Sequence, residues 1–282
     1  MKRLVLYLLS ALLLAISLTD PTVTRSRPRV EYLVVFDLSL SMATEDMWGV
    51  EGPRSRLSYA KEMFAQLLPE LPAGVRISLA GFVGSSVLVF LVSRPKEDLD
   101  AIASALEVLD WTNVWDAGSR IDLGLRDIAR QMQGTTIFAV GASPRTLPTS
   151  LNIVFFTDGG PDDLPRSLGT DLTLWLRRSS RVTFVGVGQP TPSEVPEFKP
   201  TPPRDCFRDE AGRCVRSRLN EENLRALAEW CGGRYVRLRS LDDLRGVFSA
   251  SPLVAGVVEQ PIRLGWAFAL GSLAAFLAWM LV

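Results

Sequence analysis

The chain has 282 residues, 47% of them hydrophobic, with 31 Lys and Arg balanced by 31 Asp and Glu. A net charge of zero argues against a nucleic-acid binder that works through a basic surface. Histidine is absent, which excludes a Ser-His-Asp triad, a Cys-His pair and any His-ligated zinc or haem, and leaves carboxylates, hydroxyls, thiols, lysine and arginine to carry chemistry.

Residues 4–18 are almost wholly apolar and follow Lys2 and Arg3. This pattern predicts a membrane anchor or signal peptide over 1–19, with Ala15 and Ser17 as a weak small-residue cleavage site. A buried core helix is the blander reading of the same run. From 30 to 250 the chain alternates strand-like and helix-like segments. Strands are predicted at 31–36, 75–82, 86–92, 152–157, 182–187 and 234–238. Several are continuous Val, Ile and Phe runs, the pattern of strands covered on both faces. Amphipathic helices are predicted at 56–71, 96–109, 119–132, 220–231 and 240–248. Asn220 ahead of Glu221 and Glu222 reads as an N-cap with an acidic first turn, and Gly232-Gly233 as the stop.

This alternation predicts an α/β domain with a doubly wound, mostly parallel sheet. Strand 86–92 follows 75–82 through Gly84-Ser85, which predicts an antiparallel edge strand. Residues 189–219 form a Pro- and Arg-rich excursion. A loop that long inside a compact domain is either functional or mobile. Lys61 and the scattered arginines read as solvated helix faces. Glu45, Asp46, Asp162 and Asp163 read as loop acids, with Asp46 close enough in sequence to the candidate site to bear on it.

Residues 264–282 carry no charge. A C-terminal transmembrane helix is predicted over 262–282, with Trp266 and Trp279 near its two interfaces. The domain is thus expected to be flanked by transmembrane helices at both ends. Lys2 and Arg3 put the N-terminus in the cytoplasm and residues 20–262 across the membrane, so the expected location is the bacterial inner membrane with the main domain in the periplasm. Cys206 and Cys214 bracket a short polar turn and are spaced for a hairpin disulfide in an oxidising compartment. Pairing with Cys231, or three reduced thiols, are the alternatives.

Ligands of open α/β sheets bind outside the carboxyl ends of the strands. The first strand ends in Asp37-Leu38-Ser39-Leu40-Ser41. The fourth ends in Thr157-Asp158-Gly159-Gly160, and Gly118-Ser119 opens the helix 119–132. Two carboxylates and three hydroxyls are offered, with no nitrogen or sulfur. That set suits a hard divalent cation, Mg²⁺ or Ca²⁺. So few protein charges leave the cation able to accept a carboxylate from another molecule. A strand end with capping serines, and a simple Asp-Gly turn, are the bland readings of these motifs taken singly.

Asp-x-Ser-x-Ser after the first strand, Gly-Ser at a helix start and Thr-Asp-Gly after the fourth strand, over roughly residues 30–250, resemble the metal-ion-dependent adhesion site (MIDAS) of von Willebrand factor A-type (vWA) domains. The resemblance implies metal ligation by Asp37, Ser39, Ser41, Ser119 and Asp158. The hydroxyls would bind directly and the aspartates largely through water. Ser119 stands where that family has threonine, and Thr112 is its rival for the role. A protein partner offering an acidic side chain is implied. Trp111 and Trp115, in a polar loop beside the site, read as partner contacts, with core packing as the alternative. Among membrane-anchored bacterial proteins of this type, the stretch from Leu109 to Leu125 and the layout SRL…AK…LLPELPAGVRISLAGF are similar to the MxaL-type accessory proteins of methanol dehydrogenase gene clusters. This implies maturation of a periplasmic quinoprotein methanol dehydrogenase, including insertion of its Ca²⁺. A Bat-type aerotolerance complex coupled to an ATPase is the alternative. A metal-dependent hydrolase is a further one. The chain lacks a Gly-x-Ser-x-Gly elbow and a Gly-x-x-x-x-Gly-Lys loop, and Ser39 stands where a haloacid-dehalogenase-type phosphatase needs a second aspartate. A binding module is therefore expected rather than an enzyme.

Overall fold

Val, Ile and Phe runs that pack on both faces form the central strands of this chain, and the amphipathic segments between them cover those faces. A computed structural model describes residues 2–49, 52–72, 74–84, 86–93, 98–110, 120–132, 151–160, 169–197, 205–250, 252 and 254–281. The first elements are helix α1 (Lys2–Leu18), strand β1 (Thr22–Asp37), the short strands β2 (Met47–Gly49) and β3 (Gly52–Arg54), and helix α2 (Arg56–Leu67). Next come β4 (Val75–Val83), β5 (Ser86–Ser93), α3 (Leu99–Val108), α4 (Ile121–Met132), β6 (Leu151–Thr157), α5 (Thr170–Ser179) and β7 (Ser180–Gly186). The chain continues through β8 (Ser193–Glu194), β9 (Arg216–Ser217), α6 (Glu221–Cys231), β10 (Arg234–Arg237) and α7 (Leu241–Ser249), then β11 (Val254–Arg263) and α8 (Gly265–Leu281). Two units result, Arg29–Ala255 and Met1–Pro28 with Gly256–Val282.

In the larger unit the strand order is β10-β7-β6-β1-β4-β5. All neighbours are parallel except β4 and β5, which pair antiparallel as the edge hairpin. The chain steps from β1 to β4 in one direction and from β6 to β10 in the other. The order therefore reverses between β1 and β6, the crevice where doubly wound sheets bind ligands. Register places Phe36 opposite Phe156, so Asp37 and Thr157 leave the sheet side by side. Alternate residues of β1 face opposite layers. Val34 and Phe36 pack with Phe64 of α2, Ile102 of α3 and Val247 of α7, while Leu33 and Val35 pack with Ile121 and Leu125 of α4, Leu176 of α5 and Leu227 of α6. Phe36 and Phe156 stack with centroids 4.7 Å apart, and Phe64 meets Phe36 edge-on.

The predicted Asn220 cap forms, and α7 gains one as well. Asn220 Oδ1 accepts the Asn223 N–H at 3.2 Å, and Ser240 with Asp243 makes a capping box on α7. The predicted helix over 56–71 ends at Leu67 and tightens into a 3₁₀ turn, Leu68–Glu70, because Pro69 cannot supply an N–H. Helix α5 and the β2–β3 hairpin went unpredicted. The described residues of the long excursion do not form an open loop. Ser193 pairs with Ser217 and Glu194 with Arg216, with further bridges Pro196–Cys206 and Arg208–Cys214. The Cys206–Cys214 disulfide closes it, and Cys231 is buried and free.

In the smaller unit β11 pairs with β1, and α1 packs along α8. Ser10 Oγ donates to the Ser272 carbonyl at 3.1 Å, and Ser272 Oγ returns the bond to the Ser10 carbonyl at 2.8 Å. Ser17 Oγ donates to the Gly265 carbonyl at 2.9 Å. Polar and small groups thus lie between the helices, while Leu8, Leu12, Leu273 and Leu277 point outward and are exposed. The expected transmembrane helix over 262–282 needs correction. Ile262 and Arg263 belong to β11, and the helix starts only at Gly265. Each terminal helix has 17 residues. At 1.5 Å per residue that is about 26 Å, short of a hydrocarbon core of about 30 Å. Among the described residues no helix is long and apolar enough to cross a membrane.

Candidate metal centre at the sheet switch point

Asp37 is the last residue of β1 and is fully buried. The chain then turns through Ser39 into a 3₁₀ turn over Leu40–Ala43, which folds Ser41 back beside Ser39. The two hydroxyl oxygens stand 3.1 Å apart. Asp37 Oδ1 accepts the Ser39 N–H at 2.9 Å, and Oδ2 accepts the Thr157 hydroxyl at 2.6 Å. Burial, followed by the negative charge of Asp158, pushes the Asp37 carboxyl up to about 6, against the lowering effect of these hydrogen bonds.

Asp158 follows β6 and is also buried. Its Oδ1 accepts the Gly160 N–H at 3.1 Å. Its Oδ2 accepts from Arg56 Nη1 at 2.8 Å and from Ser217 Oγ at 3.0 Å. Its carbonyl accepts the Asn220 N–H at 2.7 Å, which ties the start of α6 to the site. Gly159 holds φ at +97°, and a Cβ there would stand 2.7 Å from the Asn220 carbonyl oxygen. Glycine is required for this turn.

The donor set fits a divalent cation. Both carboxylates are engaged by protein donors on each of their oxygens, and the Ser39 and Ser41 hydroxyls hydrogen-bond each other. Adjacent ligands at 2.1 Å from an octahedral centre lie about 3.0 Å apart, close to the Ser39–Ser41 separation of 3.1 Å. Asp37, Ser39, Ser41 and Asp158 are thus brought together as the sequence predicts. Ser119, its rival Thr112, and the expected partner contacts Trp111 and Trp115 lie outside the described residues.

Three groups at this site escape the sequence pattern. Thr157 orients Asp37. Ser217 reaches Asp158 from the hairpin β8–β9. Arg56, read as one of many solvated arginines, is instead fully buried and pairs with Asp46 and Asp158. A signal for Arg56 exists in its position. A cation in the first turn of a helix opposes the helix dipole, so it needs acidic partners nearby. Asp46, ten residues earlier, is one. Thr44 and Glu45, which follow the serine turn, and Glu194, Val195, Pro196 and Cys206 of the hairpin line a recess of about 240 Å³.

No family profile matches the chain. It is 27% identical over 285 residues to a UPF0353 protein of Mycobacterium bovis BCG, covering 97% of this chain and 76% of that protein. The fold is similar to that of the conserved hypothetical protein BatB from Bacteroides thetaiotaomicron, with a TM-score of 0.57, 21% identity, and coverage of 77% of this chain and 98% of that one. An aerotolerance-related membrane protein from Bacteroides fragilis, carrying multiple mutations to serines, matches with the same TM-score and identity, covering 78% of this chain and 96% of that one. The mostly parallel sheet and flanking helices of the larger unit fit a vWA-like α/β fold, and the two structures above share that fold.

Proposed function

We propose that the chain is a membrane-associated binding module of the Bat type. Its vWA-like domain holds a divalent cation at Asp37, Ser39, Ser41, Ser119 and Asp158, and offers it to an acidic side chain of a protein partner. The observation that carries this is the Ser39–Ser41 hydroxyl pair, 3.1 Å apart, beside two buried carboxylates whose oxygens already accept protein hydrogen bonds. A bound cation supplies an open coordination position that takes a carboxylate oxygen. The neutral serine hydroxyls draw little charge from it. Asp37 and Asp158 balance its charge from behind, each held in place by its own donors.

The domain binds rather than catalyses, and its partner is a protein rather than nucleic acid. Likeness to BatB and to the aerotolerance-related membrane protein favours a Bat-type membrane assembly over maturation of a methanol dehydrogenase. The outward leucines of α1 and α8 support membrane association. In water this surface would be costly, at about 25 cal/mol per Å² of apolar area. The Cys206–Cys214 disulfide favours an oxidising compartment such as the periplasm for the larger unit. The test is capture of the partner from the native membranes in Mg²⁺, then in chelator. Capture lost both in chelator and in Asp37→Ala, with the fold intact by circular dichroism, is expected. Capture that persists in both overturns the reading.

A further inference from the structure

Arg56 is a feature that metal binding alone does not require. Its side chain is 0% exposed although it opens a helix. The guanidinium joins three stretches of chain. Asp46 accepts Nε at 3.0 Å and Nη2 at 2.6 Å. Asp158 Oδ2 accepts Nη1 at 2.8 Å. Ser217 accepts Nη1 on its hydroxyl at 2.7 Å and Nη2 on its carbonyl at 3.1 Å, and its hydroxyl donates a hydrogen bond to Asp158 Oδ2 at 3.0 Å. The backbone is shaped around this group. Gly188 sits at φ +131°, where a Cβ would fall 2.7 Å from Arg56 Nε.

We propose that Arg56 is a positioning residue of the metal site, clamping Asp158 to protein donors so that neutral hydroxyls stay the direct ligands, and tying the disulfide-closed hairpin β8–β9 to that carboxylate. The inference rests on the metal reading above. Asp46, Asp158 and Arg56 together carry one negative charge, and ionised Asp37 adds a second. A divalent cation balances the pair. With Arg56 gone, Asp158 is released to ligate the cation itself. The cation is then held more tightly and is less able to accept an outside carboxylate, because affinity at oxygen sites rises with ligand charge. Arg is suited to the role because its planar fork serves two carboxylates and a carbonyl at once, which an ammonium does not.

The test is Mn²⁺ binding to the full-length protein in detergent, with free Mn²⁺ followed by electron paramagnetic resonance. The double variant Arg56→Met/Asp46→Asn removes the guanidinium together with the carboxylate it would leave unpaired. Its dissociation constant for Mn²⁺ is expected to fall at least about tenfold, even as its metal-free melting temperature drops. Arg56→Lys, which keeps the charge but not the fork, is expected to give a dissociation constant between those of wild type and the double variant. A merely structural Arg56 predicts the opposite sign, with affinity and stability lost together. Unchanged or weaker binding by the folded double variant overturns the inference and leaves the metal reading standing. No Mn²⁺ binding by wild type overturns both. Should the double variant be unfolded without metal, saturating Mn²⁺ is expected to refold it, and a variant that stays unfolded there also overturns the inference.

Discussion

Gly159→Ala tests whether the turn after β6 is built as described. Gly159 holds φ at +97°, which costs an alanine about 1–2 kcal/mol. The new Cβ would also stand 2.7 Å from the Asn220 carbonyl oxygen and 3.1 Å from Leu224 Cγ. Neither neighbour yields easily. The Asn220 N–H donates to the Asp158 carbonyl and its side chain caps α6, while Leu224 is fully buried in the core. Overpacking of this kind adds about 1–3 kcal/mol. The total is about 3 kcal/mol, or a melting temperature lower by roughly 6–12 °C. Gly212→Ala is the control. It has φ at +74° but nothing within 4 Å of a Cβ, so it incurs the backbone penalty alone. Thermal unfolding followed by circular dichroism in mild detergent reads both variants. A Gly159→Ala melting temperature equal to that of Gly212→Ala would refute the close approach of α6 to the metal turn.

Other outcomes follow from the same structure. Burial pushes the Cys231 thiol up to about 12, so a thiol reagent at pH 8 should find no reactive cysteine in the native protein, one after unfolding without reductant and three after reduction; a fast native reaction contradicts this. Tyr32 donates to the Phe248 carbonyl at 3.0 Å, so Tyr32→Phe should cost about 1 kcal/mol by urea unfolding. Burial raises the Tyr32 hydroxyl from 10.0 to about 12. Stability gained by keeping it neutral is therefore intact below pH 10 and lost as the pH climbs through about 12 in wild type, a loss that Tyr32→Phe should lessen. Detergent-free protein should float with phosphatidylcholine vesicles, and Leu8→Lys with Leu277→Lys should weaken flotation; equal flotation contradicts lipid contact through α1 and α8.

Much of the fold was legible because its signals are local. Continuous apolar runs at 31–36 and 152–157 mark strands covered on both faces, and Asn220 or Ser240 before acidic residues mark helix starts. Asp37, Ser39, Ser41 and Asp158 were legible for the same reason, since strand ends at a switch point converge by topology. What escaped depends on contacts between distant residues. Arg56 looks like any surface arginine until the fold brings Asp158, 102 residues later, to its guanidinium. The excursion reads as a loop because Pro and Arg dominate it. Its order comes from cross-strand bonds, such as Val195 with Phe207 and Val215, and from one disulfide. The expected C-terminal span takes in Ile262 and Arg263, which instead close β11, and the helix starts only at Gly265.

The central claim is that a divalent cation sits on the two serine hydroxyls. Mn²⁺ titration of the full-length protein by isothermal calorimetry, beside Ser39→Ala/Ser41→Ala, addresses it most directly. The account predicts one Mn²⁺ per chain in wild type and an affinity lower by at least about tenfold in the variant, with the melting temperature of the metal-free protein little changed. Equal affinity in the two proteins, or no binding by wild type, would contradict it.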